Sequence, residues 1–160
     1  PPWHVKPAAL GSSVGITIAK TFGDLVKSIE NAFNVSPKIL IEETIRGREA
    51  TCGVIDNFRG KDHYSLLPLQ ILDSQHIFPG HFTRDESQAI QDAAVKAHKG
   101  LGLRHYSRAD FIVSPRGLYI LEVNSLPGFT NESLLPKSLS AVGCEYPQFL
   151  DHVLTLALQK

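Results

Sequence analysis

Two acids and an amide, Asp110, Glu122 and Asn124, sit on either side of a Pro-Arg-Gly turn, and Arg108 precedes the first of them by two residues. The runs 108–113 and 118–124 are rich in β-forming residues and flank Ser114-Pro115-Arg116-Gly117, a local hairpin signature. Strand side chains alternate faces. Arg108, Asp110 and Ile112 therefore share one side of the first strand, and Glu122 and Asn124 share one side of the second. With the turn centred near Pro115-Arg116, Asp110 falls opposite either Leu121 or Glu122. In the second register Asp110, Glu122 and Asn124 converge, with Arg108 beside them. Two carboxylates and an amide oxygen make a hard site of the kind Mg²⁺ takes together with phosphates and waters. The arginine would face the anion that such a metal holds. The plainer alternative is a set of solvated residues on an exposed sheet face. Against it, Ile120-Leu121-Glu122-Val123 is apolar for an exposed strand, and a carboxylate buried there needs a partner or a metal.

Two further stretches have the types for nucleotide chemistry. Lys6 ends a short strand and is followed by the small, Gly-rich stretch 8–15, with Gly11-Ser12-Ser13-Val14-Gly15 at its end. Backbone N–H groups in such a turn can cradle phosphate oxygens, with the lysine as point charge. It is not a P-loop, which places its lysine after the glycines, and an ordinary turn explains the composition equally well. Glu42-Glu43 and then Glu49 trail a buried-type strand; carboxylates there suit ribose hydroxyls, or simply water.

These residues need elements to hold them. A strand from Val5 to Pro7, a helix over 24–33 and a strand over 38–43 come first, the helix with Leu25, Val26, Ile29, Ala32 and Phe33 at helical spacing. Strands over 47–54 and 65–72 follow, with 57–62 as the turn between them. A second helix over 85–100 has Thr83 as N-cap, Glu86 three residues later as in a capping box, and Gly100 at its end. After the hairpin and a loop with Pro127 and Gly128, a last helix over 148–158 carries an apolar stripe of Phe149, Leu150, Val153, Leu154 and Ala157. Helices interleaved with antiparallel-type strands give an α+β fold.

Composition narrows the function. In 160 residues, 16 Lys+Arg balance 16 Asp+Glu, which gives no support to a binder of nucleic-acid backbone. No apolar run reaches the ~18 residues needed to span a bilayer. Cys52 and Cys144 lack metal-ligand spacing and read as buried thiols of a reducing compartment, the cytoplasm. The seven histidines show no repeated ligand spacing, so they read as surface or satisfied polar residues and not as a metal cluster; His105 is of interest only for lying near Arg108. A Ser–His–Asp hydrolase has no nucleophile elbow to stand on. The chain has no Met and opens on Pro1-Pro2-Trp3-His4-Val5-Lys6, which reads as a segment of a longer protein.

Taken in order, Val5-Lys6-Pro7, Gly11-Ser12-Ser13-Val14-Gly15, Ile41-Glu42-Glu43, Gly47-Arg48-Glu49, Arg108-Ala109-Asp110, the run Leu121 to Thr130 (LEVNSLPGFT) and Ser133-Leu134-Leu135-Pro136 resemble the D-alanine–D-alanine ligases, a family of ATP-grasp enzymes. The resemblance covers nearly the whole chain. It implies part of the central lid lobe over 1–45 and the carboxy-terminal lobe, an antiparallel sheet with flanking helices, over 46–160. It implies nucleotide binding by Lys6, Ser12, Ser13, Val14, Glu42, Glu43, Thr44, Ile45 and Glu49. Asp110, Glu122 and Asn124 would carry two Mg²⁺ ions, with Mn²⁺ as a substitute. Arg108 and the Gly128 N–H would stabilise an oxyanion, Ser12 would act in a loop closing over the phosphates, and Ser133 and Leu134, with Arg108 and Gly128, would hold substrate. The implied reaction joins two D-alanines through an acyl phosphate for peptidoglycan precursors, with ATP and D-alanine as partners, no nucleic acid or membrane, and a homodimer in the full-length protein.

Departures from the family pattern leave other readings open. The amino-terminal domain and the front half of the central lobe are missing from this chain. The family's longer loop carrying Lys-Tyr is replaced by a short Ile71–Pro79 link, and Lys61, His63 and Tyr64 do not take over its role. An ATP-grasp ligase for another amino acid or peptide, or a nucleotide-binding lobe inactive by itself, are the alternatives.

Overall fold

The computed structural model describes residues 1–8, 14–72, 75–130 and 132–159, with the side chains of 75 and 76 left aside. The chain divides into two compact units, Pro1–Arg46 and Gly47–Lys160. The expected loop residues Gly11, Ser12 and Ser13 lie outside the described residues.

In the first unit, β1 (Trp3–Pro7) lies between β2 (Thr17–Ala19) and β3 (Ile39–Glu43), all antiparallel. Helix α1 (Phe22–Phe33) begins two residues earlier than periodicity suggests, because Thr21 caps it and Asp24 returns the bond to the Thr21 N–H. Its inner face is Leu25, Ser28, Ile29 and Ala32; Val26 and Phe33 fall one position round the helix and stay exposed.

The second unit is an antiparallel sheet in the order β7-β6-β4-β8-β9, with β5 also paired to β4. Its strands are β4 (Arg48–Phe58), β5 (Lys61–Ser65), β6 (Leu69–Leu72), β7 (Gln75–Ile77), β8 (Tyr106–Ser114) and β9 (Gly117–Asn124). The single strand expected over 65–72 is two strands, broken at 66–68 where Pro68 has no N–H to give the ladder. The expected turn over 57–62 shrinks to Arg59-Gly60, both at positive φ, the twist a two-residue hairpin needs. Part of the supposed 71–79 link is strand, since β7 folds back on β6.

Helix α2 (Arg84–Gly100) packs on one face of this sheet, against Ala50, Cys52, Val54, Ala109, Phe111 and Val113. The Thr83–Glu86 capping box forms as expected, and Arg48 pairs with Glu86. The C-terminal left-handed residue is Gly102, not Gly100. Helices α3 (Leu134–Ala141) and α4 (Tyr146–Leu158) pack on the other side through Leu135, Leu139 and Phe149, against Ile55 and Leu66. Helix α3 is absent from the sequence expectations because Pro136 reads as a breaker, yet in a first turn proline costs no helical bond. Helix α4 starts two residues before 148, with Pro147 tolerated in its first turn for the same reason. Both cysteines are free and buried, and burial pushes the Cys52 thiol up to about 12. Among the described residues no helix is long and apolar enough to cross a membrane.

Candidate functional site

The β8–β9 hairpin turns at Pro115-Arg116, with Ser114 opposite Gly117 and Phe111 opposite Ile120. Continued without a break, that register would set Asp110 against Leu121. A bulge intervenes between Asp110 and Phe111, so one extra residue is taken up in β9 and Asp110 faces Glu122, with Arg108 facing Asn124. Of the two registers open to sequence reasoning, the bulge selects the one that gathers the polar side chains.

They are gathered tightly. Asp110 accepts from Arg108 Nε at 3.1 Å (Oδ1) and from Nη2 at 2.9 Å (Oδ2). Asn124 Nδ2 donates to Asp110 Oδ2 at 3.3 Å and to Glu122 Oε1 at 3.1 Å, so one amide bridges the two acids. A residue absent from the sequence expectations completes the group: Thr51 Oγ1, buried on β4, donates to Asp110 Oδ1 at 2.6 Å. Thr51 is opposite Asp110 across the β4–β8 ladder, a pairing between strands far apart in the chain that no local spacing reveals.

The face these residues share is the one α2 leaves uncovered, since Ala109 and Phe111, their neighbours in β8, point into the α2 core. Glu122 is not buried, as its apolar neighbours led one to expect. Strand β9 is the sheet edge, Ile120 and Leu121 are 51% and 39% exposed, and Glu122 is exposed with them. Two carboxylates directly opposite on paired strands repel each other. Arg108 and the Asn124 amide offset part of that repulsion. Turned by 180°, the Asn124 amide presents its oxygen where its nitrogen now bridges the acids, and three oxygens then form a hard donor set that fits Mg²⁺. The residues present fit the group.

The next segment is anchored beside this face. Phe129 packs edge-on against Tyr106 at 5.3 Å between ring centres, and Tyr106 is two residues before Arg108 on the same side of β8. Gly128 is held against Ser133: a Cβ at Gly128 would come 2.8 Å from Ser133 Oγ. Ser133 Oγ accepts from Thr130 N–H at 3.1 Å, and Ser133 and Leu134 begin α3.

In the first unit, Lys6 and Glu42 form an ion pair at 2.6 Å, across strands in which His4 faces Glu42. Thr44 N–H donates to Pro2 O at 3.0 Å, and Thr44 Oγ1 has no hydrogen-bond partner among the described residues. Val14 and Glu43 are exposed and Ile45 is half-buried. Glu49 belongs to the second unit, exposed on β4.

A family model described as D-ala D-ala ligase C-terminus matches residues 1–155, and the chain belongs to that family. It is 38% identical over 179 residues to a D-alanine–D-alanine ligase of Desulfotalea psychrophila, covering 99% of this chain and 54% of that relative. In structure it is similar to the D-alanine–D-alanine ligase of Coxiella burnetii, with a TM-score of 0.90, 32% identity, and coverage of 97% of this chain and 44% of that one. It is also similar to the Bacillus anthracis enzyme solved in complex with ATP, with a TM-score of 0.87, 29% identity, and coverage of 99% and 51%. The fold is thus α+β of the ATP-grasp kind, in its carboxy-terminal portion. The chain spans about half the length of the curated relatives it matches.

Proposed function

We propose that this chain supplies the metal- and phosphate-holding part of an ATP-dependent D-alanine–D-alanine ligase that makes a peptidoglycan precursor in the cytoplasm. The observation that carries this reading is the bulged register that sets Asp110, Glu122 and Asn124 side by side with Arg108, in a chain of this family.

Asp110, Glu122 and Asn124 hold Mg²⁺ in this reading. When bound, the ion neutralises phosphate charge during transfer of the ATP γ-phosphoryl group to the first substrate's carboxylate, and Mn²⁺ can replace it. Arg108, fixed by its two bonds to Asp110, keeps its remaining donors for the oxyanion that forms when the second amine attacks the acyl phosphate. The Gly128 N–H is the second donor, and Ser133 with Leu134 positions the second amino acid. Lys6 exchanges its bond to Glu42 for the nucleotide phosphates, which frees Glu42 for the adenine amino group. Backbone groups at Glu43 to Ile45 line the base, and Glu49 takes the ribose. Ser12, Ser13 and Val14 contact the nucleotide phosphates in this reading. A homodimer is the expected assembly.

The test is phosphate release from ATP on adding D-alanine, with the protein at the length of its relatives and a panel of other amino acids alongside. D-alanine-dependent turnover is the expected result. Turnover with another amino acid and none with D-alanine would replace the substrate reading, and no amino-acid-dependent release would overturn the reading as a whole.

A further inference from the structure

Asp56, His63 and His98 come from β4, β5 and α2, and one ligand atom of each lies within 4.8 Å of the others. Asp56 faces His63 across the β4–β5 ladder, with His63 Nδ1 at 2.8 Å from Asp56 Oδ1. His98, in the last turn of α2, places Nε2 at 3.1 Å from the same oxygen, and its side chain is 0% exposed. Spacing along the chain hid this cluster, and the expectation that the histidines gather nowhere is corrected: 35 residues separate the two rings, which meet only because α2 packs on the sheet.

Two of the three members are held from behind. His98 Nδ1 meets Ser107 Oγ at 2.8 Å, and Asp56 Oδ2 accepts the His105 N–H at 2.6 Å. His105, of interest for its nearness to Arg108, thus serves Asp56 on the other face. The Leu103 and Gly102 N–H groups close on the carbonyls of His98 and Lys99, both at 3.0 Å, in a Schellman turn that fixes the end of α2. A hydrogen bond on the far ring nitrogen is what orients a metal-bound histidine.

His98 Nε2 is the telling atom. It is buried and close to a carboxylate, yet it makes no hydrogen bond among the described residues. The short distance and the missing bond are reconciled if the ring nitrogen points beside the oxygen instead of at it. His63 Nδ1 does aim at that oxygen, at 2.8 Å, and would turn off the line to bind an ion, whose ligand atoms lie about 3.3 Å apart. The row Ser107–His98–Asp56 has the order of a hydrolase triad, but Ser107 is 1% exposed within a strand and no substrate reaches it.

We infer that Asp56 Oδ1, His63 Nδ1 and His98 Nε2 form a site for one divalent cation of the Zn²⁺ class. Two imidazoles and one carboxylate select such borderline metals over Mg²⁺. The site lies on the α2 side of the sheet, opposite the face that carries Asp110. His63, 29% exposed, also lines a cavity of about 480 Å³ with Ser65, Lys61, Lys96 and Lys99. That cavity gives the ion an entry path and its fourth ligand, a water or small anion favoured by the lysines. Bound there, the ion ties the end of α2 to the β4–β5 hairpin.

The test is dialysis of the chain against buffered Zn²⁺, with thermal unfolding in its presence and absence, for the wild type, His63→Gln and Glu122→Gln. His63 is used because it is partly exposed outside the core, so the variant folds. Expected are one tightly held Zn²⁺ per chain and a Zn²⁺-dependent rise in Tm, both kept in Glu122→Gln, and affinity at least ~100-fold weaker in His63→Gln. Co²⁺ in place of Zn²⁺ should give tetrahedral visible absorption that His63→Gln abolishes. Absence of any Zn²⁺-dependent shift in the wild type, equal binding in His63→Gln, or loss of the site in Glu122→Gln overturns the inference.

Discussion

Asp110 and Asp56 are carried by opposite faces of one sheet, and each is gathered with basic side chains in a different way. Asp110 takes a two-bond clamp from Arg108, a permanent cation, and faces a second carboxylate across an edge strand open to solvent. Asp56 has no permanent cation among its described partners; two imidazoles, one buried, meet the same oxygen. Oxygen donors with an arginine beside them suit a hard cation shared with phosphates, whereas imidazoles with a carboxylate suit a softer ion held by the protein alone. The two aspartates are equally exposed, at 16%, and differ in what surrounds them: Glu122 is exposed, whereas the His98 side chain is buried. A cation at Asp110 would therefore exchange with each substrate, and one at Asp56 would be part of the fold.

The contrast predicts that the faces separate stability from chemistry. The largest effect is expected from Phe111→Ala, which empties the α2 core behind the hairpin and should cost about 3–5 kcal/mol in urea unfolding. Glu122→Gln comes next. Phosphate release should fall at least ~100-fold with the fold intact, and unfolding without metal should show stability unchanged or raised by a few tenths of a kcal/mol as the repulsion across the strand pair is relieved. Thr51→Val removes the buried hydroxyl under Asp110 and should lower kcat about tenfold, with about 1 kcal/mol of stability lost. An unchanged kcat there would confine Thr51 to packing.

The smallest effect lies at the α2 cap. The Thr83 N–H, helped by Arg48 and opposed by desolvation, holds the Glu86 carboxyl below its ordinary 4.5. A carboxyl depressed in the folded state stabilises above its unfolded value, and that contribution is lost as pH falls through the folded one. Urea midpoints below pH 4.5 should therefore decline less steeply in Glu86→Gln than in the wild type, with no change in metal binding at either aspartate.

How far the site was legible follows from which contacts are local. Arg108, Asp110, Glu122 and Asn124 fall within one hairpin, so alternation alone brought them to one of two registers. The choice depended on a bulge that no residue type announces. Thr51 could not be found, because its pairing with Asp110 joins strands 59 positions apart. His63 and His98 were missed for the same reason, and their chain spacing argued against them. In the fold, the Thr83–Glu86 cap was readable because both halves of its bond lie three residues apart. The Arg59-Gly60 hairpin was blurred by an arginine where asparagine is usual, and α3 was hidden by Pro136.

Mn²⁺ binding followed by electron paramagnetic resonance, with and without ATP, addresses the hairpin most directly in the wild type, Glu122→Gln and His63→Gln. ATP-dependent Mn²⁺ uptake should be strong in the wild type, unchanged in His63→Gln and largely lost in Glu122→Gln. Equal ATP-dependent uptake in Glu122→Gln would contradict the account, because the face made by Asp110, Glu122 and Asn124 would then not be the one that holds the metal.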